Sequence, residues 1–142
     1  MPHCLIDSSI YISALRKRNE SILIVRNLAN DSPLWLSAVV LEELYAGTSS
    51  SNIHVVERLH RDFEKVGRVL VPNLTDWARA GIAVSRLAAK HNYEQIGRER
   101  LTNDALIATS AGRLGIEVLT ANQRDFEKLS EFCNFRYRVI TI

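Results

Sequence analysis

The sequence predicts an α/β protein built on a parallel sheet that helices cover on both faces. Strand-like runs alternate with helix-like periods from one end of the chain to the other. Several of those runs are apolar at nearly every position, as buried parallel strands are, instead of alternating apolar with polar. Six glycines and three prolines in 142 residues leave no room for a long linker, and no repeat or low-complexity run interrupts the pattern. One domain over residues 1–142 is expected, large enough for a real hydrophobic core.

Taken in order, "HCLIDSS" is a short apolar run ending in turn and capping residues, a first strand buried on both faces. "SIYISALRKRN" is helical, with Arg16, Lys17 and Arg18 in its last turn, where the helix dipole favours cations. "SILIVRNLAND" is a second short helix. "PLWLSAV" is a strand with Pro33 at its start, where a missing N–H is tolerated. "VVLEELYAG" is a helix stopped by Gly47. Asn52 can cap the next helix, in which Ile53, Val56, Leu59, Phe63 and Val66 keep the three-to-four spacing of one face. "RVLVP" is a strand. "LTDWARAGIAVSRLAAKHN" is a long helix with Trp77, Ala80, Val84, Leu87 and Ala88 along an inward stripe. "LTNDALIATSAGRLG" is a helix, "IEVLTAN" a strand, "RDFEKLSEF" a short helix and "YRVITI" a last strand.

Composition bounds the function. At 46% hydrophobic and 24% charged residues the chain has the make-up of a soluble domain. No apolar run reaches the ~18 residues of a membrane span, so no membrane association is expected. "MPHCLIDSS" lacks the basic and long apolar regions of a signal peptide. Cys4 and Cys133 have no metal-type spacing, and Cys4 lies in an apolar run that suits a buried thiol. A cytoplasmic protein is the simplest expectation. His3, His54, His60 and His91 are scattered and form no zinc or catalytic pattern.

The acids are more informative. In open parallel sheets ligands bind beyond the carboxyl ends of the strands, where strand order reverses. Asp7 ends the first strand, Glu43 lies about one turn into the helix after the second, and Asp125 follows the "IEVLTAN" strand. Asp104 lies near the start of the preceding helix. At about 100° per residue it shares a face with Ile107, Ala108 and Ala111, the face that packs inward. Each acid also has a local account. Asp7 can cap a helix, and Asn122 and Asp125 are spaced like a capping box. Asp104 can sit in a first turn, where the dipole favours an acid by about 0.3–1 kcal/mol. Glu43 and Glu42 are equivalent by spacing, and either can be a surface charge. Taken together, though, carboxylates gathered at one sheet edge repel. Two unit charges ~4 Å apart interact by about 4 kcal/mol at an effective dielectric of 20. Such a cluster needs cations, and hard oxygen ligands without a Cys or His set point to Mg²⁺ or Mn²⁺. A carboxylate-held divalent ion suits phosphodiester hydrolysis.

At these residues the chain resembles a family. "LIDSS", "LEEL", "NDALIATSA" and "LTANQRDF" are similar to the four acidic motifs of PIN domains, and in particular of VapC-type toxins of bacterial toxin–antitoxin pairs. The resemblance spans nearly the whole chain in length and element order. It implies a three-layer α/β/α sandwich with a central parallel sheet and a Mg²⁺- or Mn²⁺-dependent endoribonuclease that hydrolyses RNA phosphodiester bonds. Carried over by motif, the catalytic and metal-binding acids fall on Asp7, Glu43, Asp104 and Asp125. The resemblance, and not the spacing, selects Glu43 over Glu42, because the family's Glu directly precedes a Leu, here Leu44. Ser9, Thr120 and Asn122 match supporting positions that orient ligands or water. Ser9 stands where many members have Asn, which predicts weaker orientation of Asp7, and Asn122 stands where some have a further Asp. A cognate VapB-like antitoxin and a homodimer are the implied partners. The apolar run Ile22, Leu23, Ile24 and Val25 offers a groove for the antitoxin, and Trp77 and Tyr93 bracket a helix suited to dimer contacts.

If the four acids are ligands, 18 basic residues face 12 remaining acidic ones, a balance of +6 that suits a polyanion. Arg98, Arg100 and Arg113 flank the Asp104 helix as candidate RNA contacts. Two alternatives share the fold: a PIN nuclease of cellular RNA processing, and a non-catalytic scaffold that binds RNA or protein. A phospho-accepting receiver domain fits poorly, since "IDSSI" has one acid where a pair is needed and "YRVITI" carries no lysine at a strand end.

Overall fold

The computed structural model describes residues 2–16, 32–92 and 95–141, with the backbone alone over 95–100. Its strands are β1 (Cys4–Ile6), β2 (Leu34–Ser37), β3 (Val69–Leu70), β4 (Glu117–Thr120) and β5 (Tyr137–Val139). Six described helices connect them: α1 (Ser8–Arg16), α2 (Ala38–Gly47), α3 (Ile53–Lys65), α4 (Leu74–His91), α5 (Gln95–Leu114) and α6 (Gln123–Leu129). The helix expected over 21–31 lies outside the described residues, and with it the apolar run Ile22 to Val25.

The sheet is parallel throughout, in the order β3-β2-β1-β4-β5. The chain builds outward from β1 to β3, then returns to the other side of β1 for β4. Successive strand residues point to opposite faces, yet Cys4, Leu5 and Ile6 of β1 and Val118, Leu119 and Thr120 of β4 are all buried. Both faces are therefore covered, and the fold is the predicted α/β/α sandwich. The expected buried thiol at Cys4 is among these residues.

Local chemistry sets the element ends. The Ser37 side chain accepts from the Val39 and Val40 N–H groups, turning β2 directly into α2. Asn73 and Asp76 form a reciprocal capping box at the start of α4. Gly115 takes a positive φ of 69° after α5, the usual stop of a helix. Gly112 is required for a different reason: a Cβ there would collide with the Asn134 carbonyl, so α5 and the loop before β5 pack backbone to backbone.

Two expectations are corrected. The inward face of α4 is Asp76, Ala80, Ala83 and Leu87, so the helix is rotated from the expected stripe and Trp77 is 55% exposed. The rotation is set by Asp76, which is fully buried and paired with Arg113 of α5 through contacts of 3.0–3.1 Å. And α5 begins at Gln95, six residues before Leu101. Asp104 is therefore well inside the helix, and the first-turn dipole account of its charge falls away.

Candidate active site

Strand order reverses between β1 and β4, and the carboxyl ends of these neighbours mark the position where open α/β sheets bind ligands. Asp7 directly follows β1, and its backbone N–H donates to the Leu119 carbonyl of β4 at 2.8 Å. The turn into α1 leaves its side chain buried at the seam of the two strands. One carboxylate oxygen, Oδ2, accepts from the hydroxyls of Ser9 and Thr120, both at 2.9 Å. The other, Oδ1, is buried and has no hydrogen-bond partner among the described residues. Burial pushes the Asp7 pKa up, and the two hydroxyls with the Ser8 and Ser9 amides offset part of that. The single hydroxyl of Ser9 thus keeps a donor on Asp7 where an amide was the family expectation.

Glu43 comes to the same place from α2. Its Oε1 is likewise buried without a partner among the described residues. Desolvation raises its pKa first and the charge of Asp7 second, while the Ser8 and Asn103 side chains counter this. The ambiguity left by the helical wheel is resolved: Glu42 is exposed and Glu43 faces the interior. Asn103 is a polar neighbour of this carboxylate that sequence reading passed over; its place next to Asp104 was the available signal.

Asp104 is 6% exposed on the inward face of α5, with Ile107, Ala108 and Ala111 buried beside it as the periodicity predicts. Asp125 is half-buried in the first turn of α6. The Asn122 side chain accepts from the Asp125 N–H at 3.4 Å and donates to its Oδ2 at 2.9 Å, so one half of the expected capping box forms and a side-chain bond fixes this carboxylate. The Asn122 N–H donates to Thr120 Oγ1 at 2.9 Å, which links Asp125 through Asn122 and Thr120 to Asp7. Among the described residues no three His, Cys, Asp or Glu side chains stand close enough to enclose a cation as placed.

The residues nonetheless fit a hard divalent cation. Two buried carboxylate oxygens without donors among the described residues, on electrostatically coupled acids, are costly unless a proton or a cation meets them. Three histidines have partners elsewhere, since His3 accepts from Trp35, His60 contacts Tyr45 and Glu64, and His91 contacts Glu131, while His54 is exposed. Arg113, a candidate RNA contact, has an acidic partner. Its guanidinium is committed to Asp76, about 13 Å along α5 from Asp104. The side chains of Arg98 and Arg100 lie outside the described residues.

Against this geometry, the sequence of residues 4–131 matches the model of the PIN domain. The chain belongs to the PIN-domain family. Solved structures of similar fold come from VapBC complexes. One, from Salmonella typhimurium and bound to DNA, aligns with this PIN domain at TM-score 0.68 and 23% identity over 98% of both chains. Another, VapBC2 from Rickettsia felis with a promoter DNA fragment, aligns at 0.66 and 18% over 99% of this chain and all of the other. A third, VapBC-1 from nontypeable Haemophilus influenzae, gives 0.61 and 20% over 98% of each. No curated protein sequence is close enough to this PIN domain to count as a relative. No helix among its described residues is long and apolar enough to cross a membrane. PIN-domain nucleases are hydrolases of nucleic acid that generally use divalent metal ions, and the acids at this sheet edge are of that chemical kind.

Proposed function

We propose that this chain is a Mg²⁺- or Mn²⁺-dependent endoribonuclease of the VapC toxin type, silenced by a cognate VapB-like antitoxin. The observation that carries the reading is the pair of buried oxygens on Asp7 and Glu43, without donors among the described residues, at the β1–β4 switch point. In this reading Asp7, Glu43, Asp104 and Asp125 hold the metal and are the catalytic acids. Such a cation supplies Lewis-acid activation of water and neutralises charge on the scissile phosphodiester. The chain's own part is to hold the acids. Burial at Asp7, Glu43 and Asp104 excludes competing water, and Asn122 orients Asp125. The balance of +6 outside the four acids favours an RNA backbone as substrate. The solved complexes of similar fold support an antitoxin partner. Exposed Val71, Leu74 and Trp77, at and before the start of α4, support a homodimer.

The deciding experiment is RNA cleavage with Mg²⁺ or Mn²⁺, with and without chelator, followed by mapping of the cut ends. Internal cuts abolished by chelator are expected. Intact RNA in the presence of either metal overturns the nuclease reading. Growth arrest on expression alone, relieved by a small DNA-binding protein encoded next to it, is expected of the toxin. Unimpaired growth with an active enzyme assigns it instead to cellular RNA processing.

A further inference from the structure

A cavity of about 420 Å³ opens where α4, α5 and the loop before β5 meet. Arg79 and Arg86 of α4 and Arg113 of α5 line it, and no acid does among the described residues. Arg79 and Arg86 are seven positions apart, which places them two turns and roughly 10 Å apart on one face of the helix. Neither has an acidic partner among the described residues. Arg113 meets Asp76 edge-on, which uses part of its fork of five donors. Three guanidinium charges against that one carboxylate leave two positive charges at the cavity. Glu131, next in sequence to the cavity's Phe132, is taken by Lys90 and His91. The Cys133 thiol also faces the space; burial pushes its pKa up to about 11, so it stays neutral and does not oppose an anion.

We propose that this cavity binds the phosphate of a nucleotide, with Arg79 and Arg86 on the phosphate oxygens and Ile82 and Phe132 against the sugar or base. A carboxylate answers only one of the two unmatched charges. A phosphate monoester carries nearly two at neutral pH, and planar guanidinium forks match its oxygens. The volume lies in the range of small-ligand sites, about 300–1,000 Å³, so there is room beyond the phosphate itself. Ile82, 52% exposed, and half-buried Phe132 supply the apolar wall for that remainder. A free nucleotide and the phosphorylated end of an RNA strand offer the same chemistry. The site is separate from the acids, because Arg113 lies about 13 Å along α5 from Asp104, and it stands whether or not the chain cleaves RNA.

The test is isothermal titration calorimetry of the intact chain in chelator, which keeps divalent ions from bridging a phosphate to the acids. The probes are adenosine 5′-monophosphate, adenosine and a short 5′-phosphorylated RNA. Saturable binding of the monophosphate is expected, with adenosine weaker by about 10-fold or more, the usual loss of a charge-assisted contact. Arg79→Gln combined with Arg86→Gln is expected to weaken the monophosphate by about 10-fold or more. Both residues are exposed, so circular dichroism melting should stay at the wild-type temperature. Should the pair melt lower, Arg86→Gln alone carries the test. Arg58→Gln combined with Arg61→Gln removes the same charge from α3 and is expected to stay within about twofold of wild type. RNA that displaces the monophosphate assigns the cavity to an RNA strand, and monophosphate binding that RNA does not displace assigns it to a free nucleotide. A folded wild type that binds no monophosphate overturns the inference. So does wild-type affinity in the Arg79 and Arg86 variant, an equal loss in the Arg58 and Arg61 variant, or adenosine that binds as tightly as its monophosphate. Each of these leaves the nuclease reading untouched, since metal-dependent cleavage is measured apart from it.

Discussion

Asp7 and Glu43 carry raised pKa values because burial penalises their charged forms, and at Glu43 the charge of Asp7 adds to it. The sign of the pH effect follows. An acid whose folded pKa lies above its unfolded one contributes stability that is fully present below the unfolded value and is lost as pH rises through the folded one. Without metal, then, the protein loses stability as pH climbs from the ordinary carboxylate range, near 3.8 for Asp and 4.5 for Glu, through the raised values. Urea titrations in chelator at several pH values should show that decline, with a flatter profile for Glu43→Gln. A Glu43→Gln profile as steep as wild type would remove Glu43 from the strained pair. Asp104→Asn makes the complementary case. It keeps the shape of a buried side chain, so the variant should still melt cooperatively in chelator. Metal-dependent cleavage should fall more than about 100-fold, because even groups that only orient ligands cost 10–100-fold. Near wild-type cleavage would take Asp104 out of the catalytic set.

The elements α4 and α5 are joined by an ion pair that reaches 37 positions along the chain. Asp76 is fully buried, caps its own helix through Asn73, and meets Arg113 near the far end of α5. The Thr109 hydroxyl also contacts the Asp76 carbonyl at 3.2 Å. Breaking a buried pair by removing one partner strands a charge at a cost of about 3–5 kcal/mol. Arg113 keeps 29% of its side chain exposed, so Arg113→Leu should cost about 3 kcal/mol, at the low end of that range. Denaturant unfolding measures it. Because α5 also carries Asp104, part of the loss in this variant should appear as weaker metal binding. Substituting both Asp76→Leu and Arg113→Leu should restore much of the stability, as the buried charge is then gone. A double variant no more stable than the single one would show that Asp76 matters through its cap instead.

Among the described residues most apolar side chains enter a core on both sides of the sheet, and the most exposed of the others stands at the start of α4. Leu74 is 85% exposed, and Val71 and Trp77 are more than half exposed beside it. Aromatic residues are enriched in interface cores, and the proposed homodimer has its best contact surface here. Light scattering at micromolar concentration should give twice the single-chain mass of 16.1 kDa. Leu74→Ser combined with Trp77→Ser should shift the mass to the single-chain value without lowering the melting temperature, since neither residue packs in the core. A wild-type mass of 16.1 kDa that does not change on concentration would leave this face to another partner.

The alternation of apolar runs with helical periods was enough to establish a parallel α/β sandwich, because burial on both faces of a strand writes itself into consecutive residues such as Cys4, Leu5 and Ile6. The same reading placed Asp7 and Asp125 at the carboxyl ends of strands and turned Asp104 inward. Periodicity averages over a turn of helix, however, and so it could not separate Glu43 from Glu42, or see that α4 rotates about buried Asp76 and turns Trp77 to solvent. Nor could it see that Arg113 pairs with Asp76 across 37 positions of the chain. These outcomes depend on which side chains meet across distant elements, and only the packed chain decides that. The asymmetry of Asp7 is of the same kind: "LIDSS" and "LTAN" each contain the hydroxyl, but the oxygen left bare is determined where β1 and β4 lie side by side.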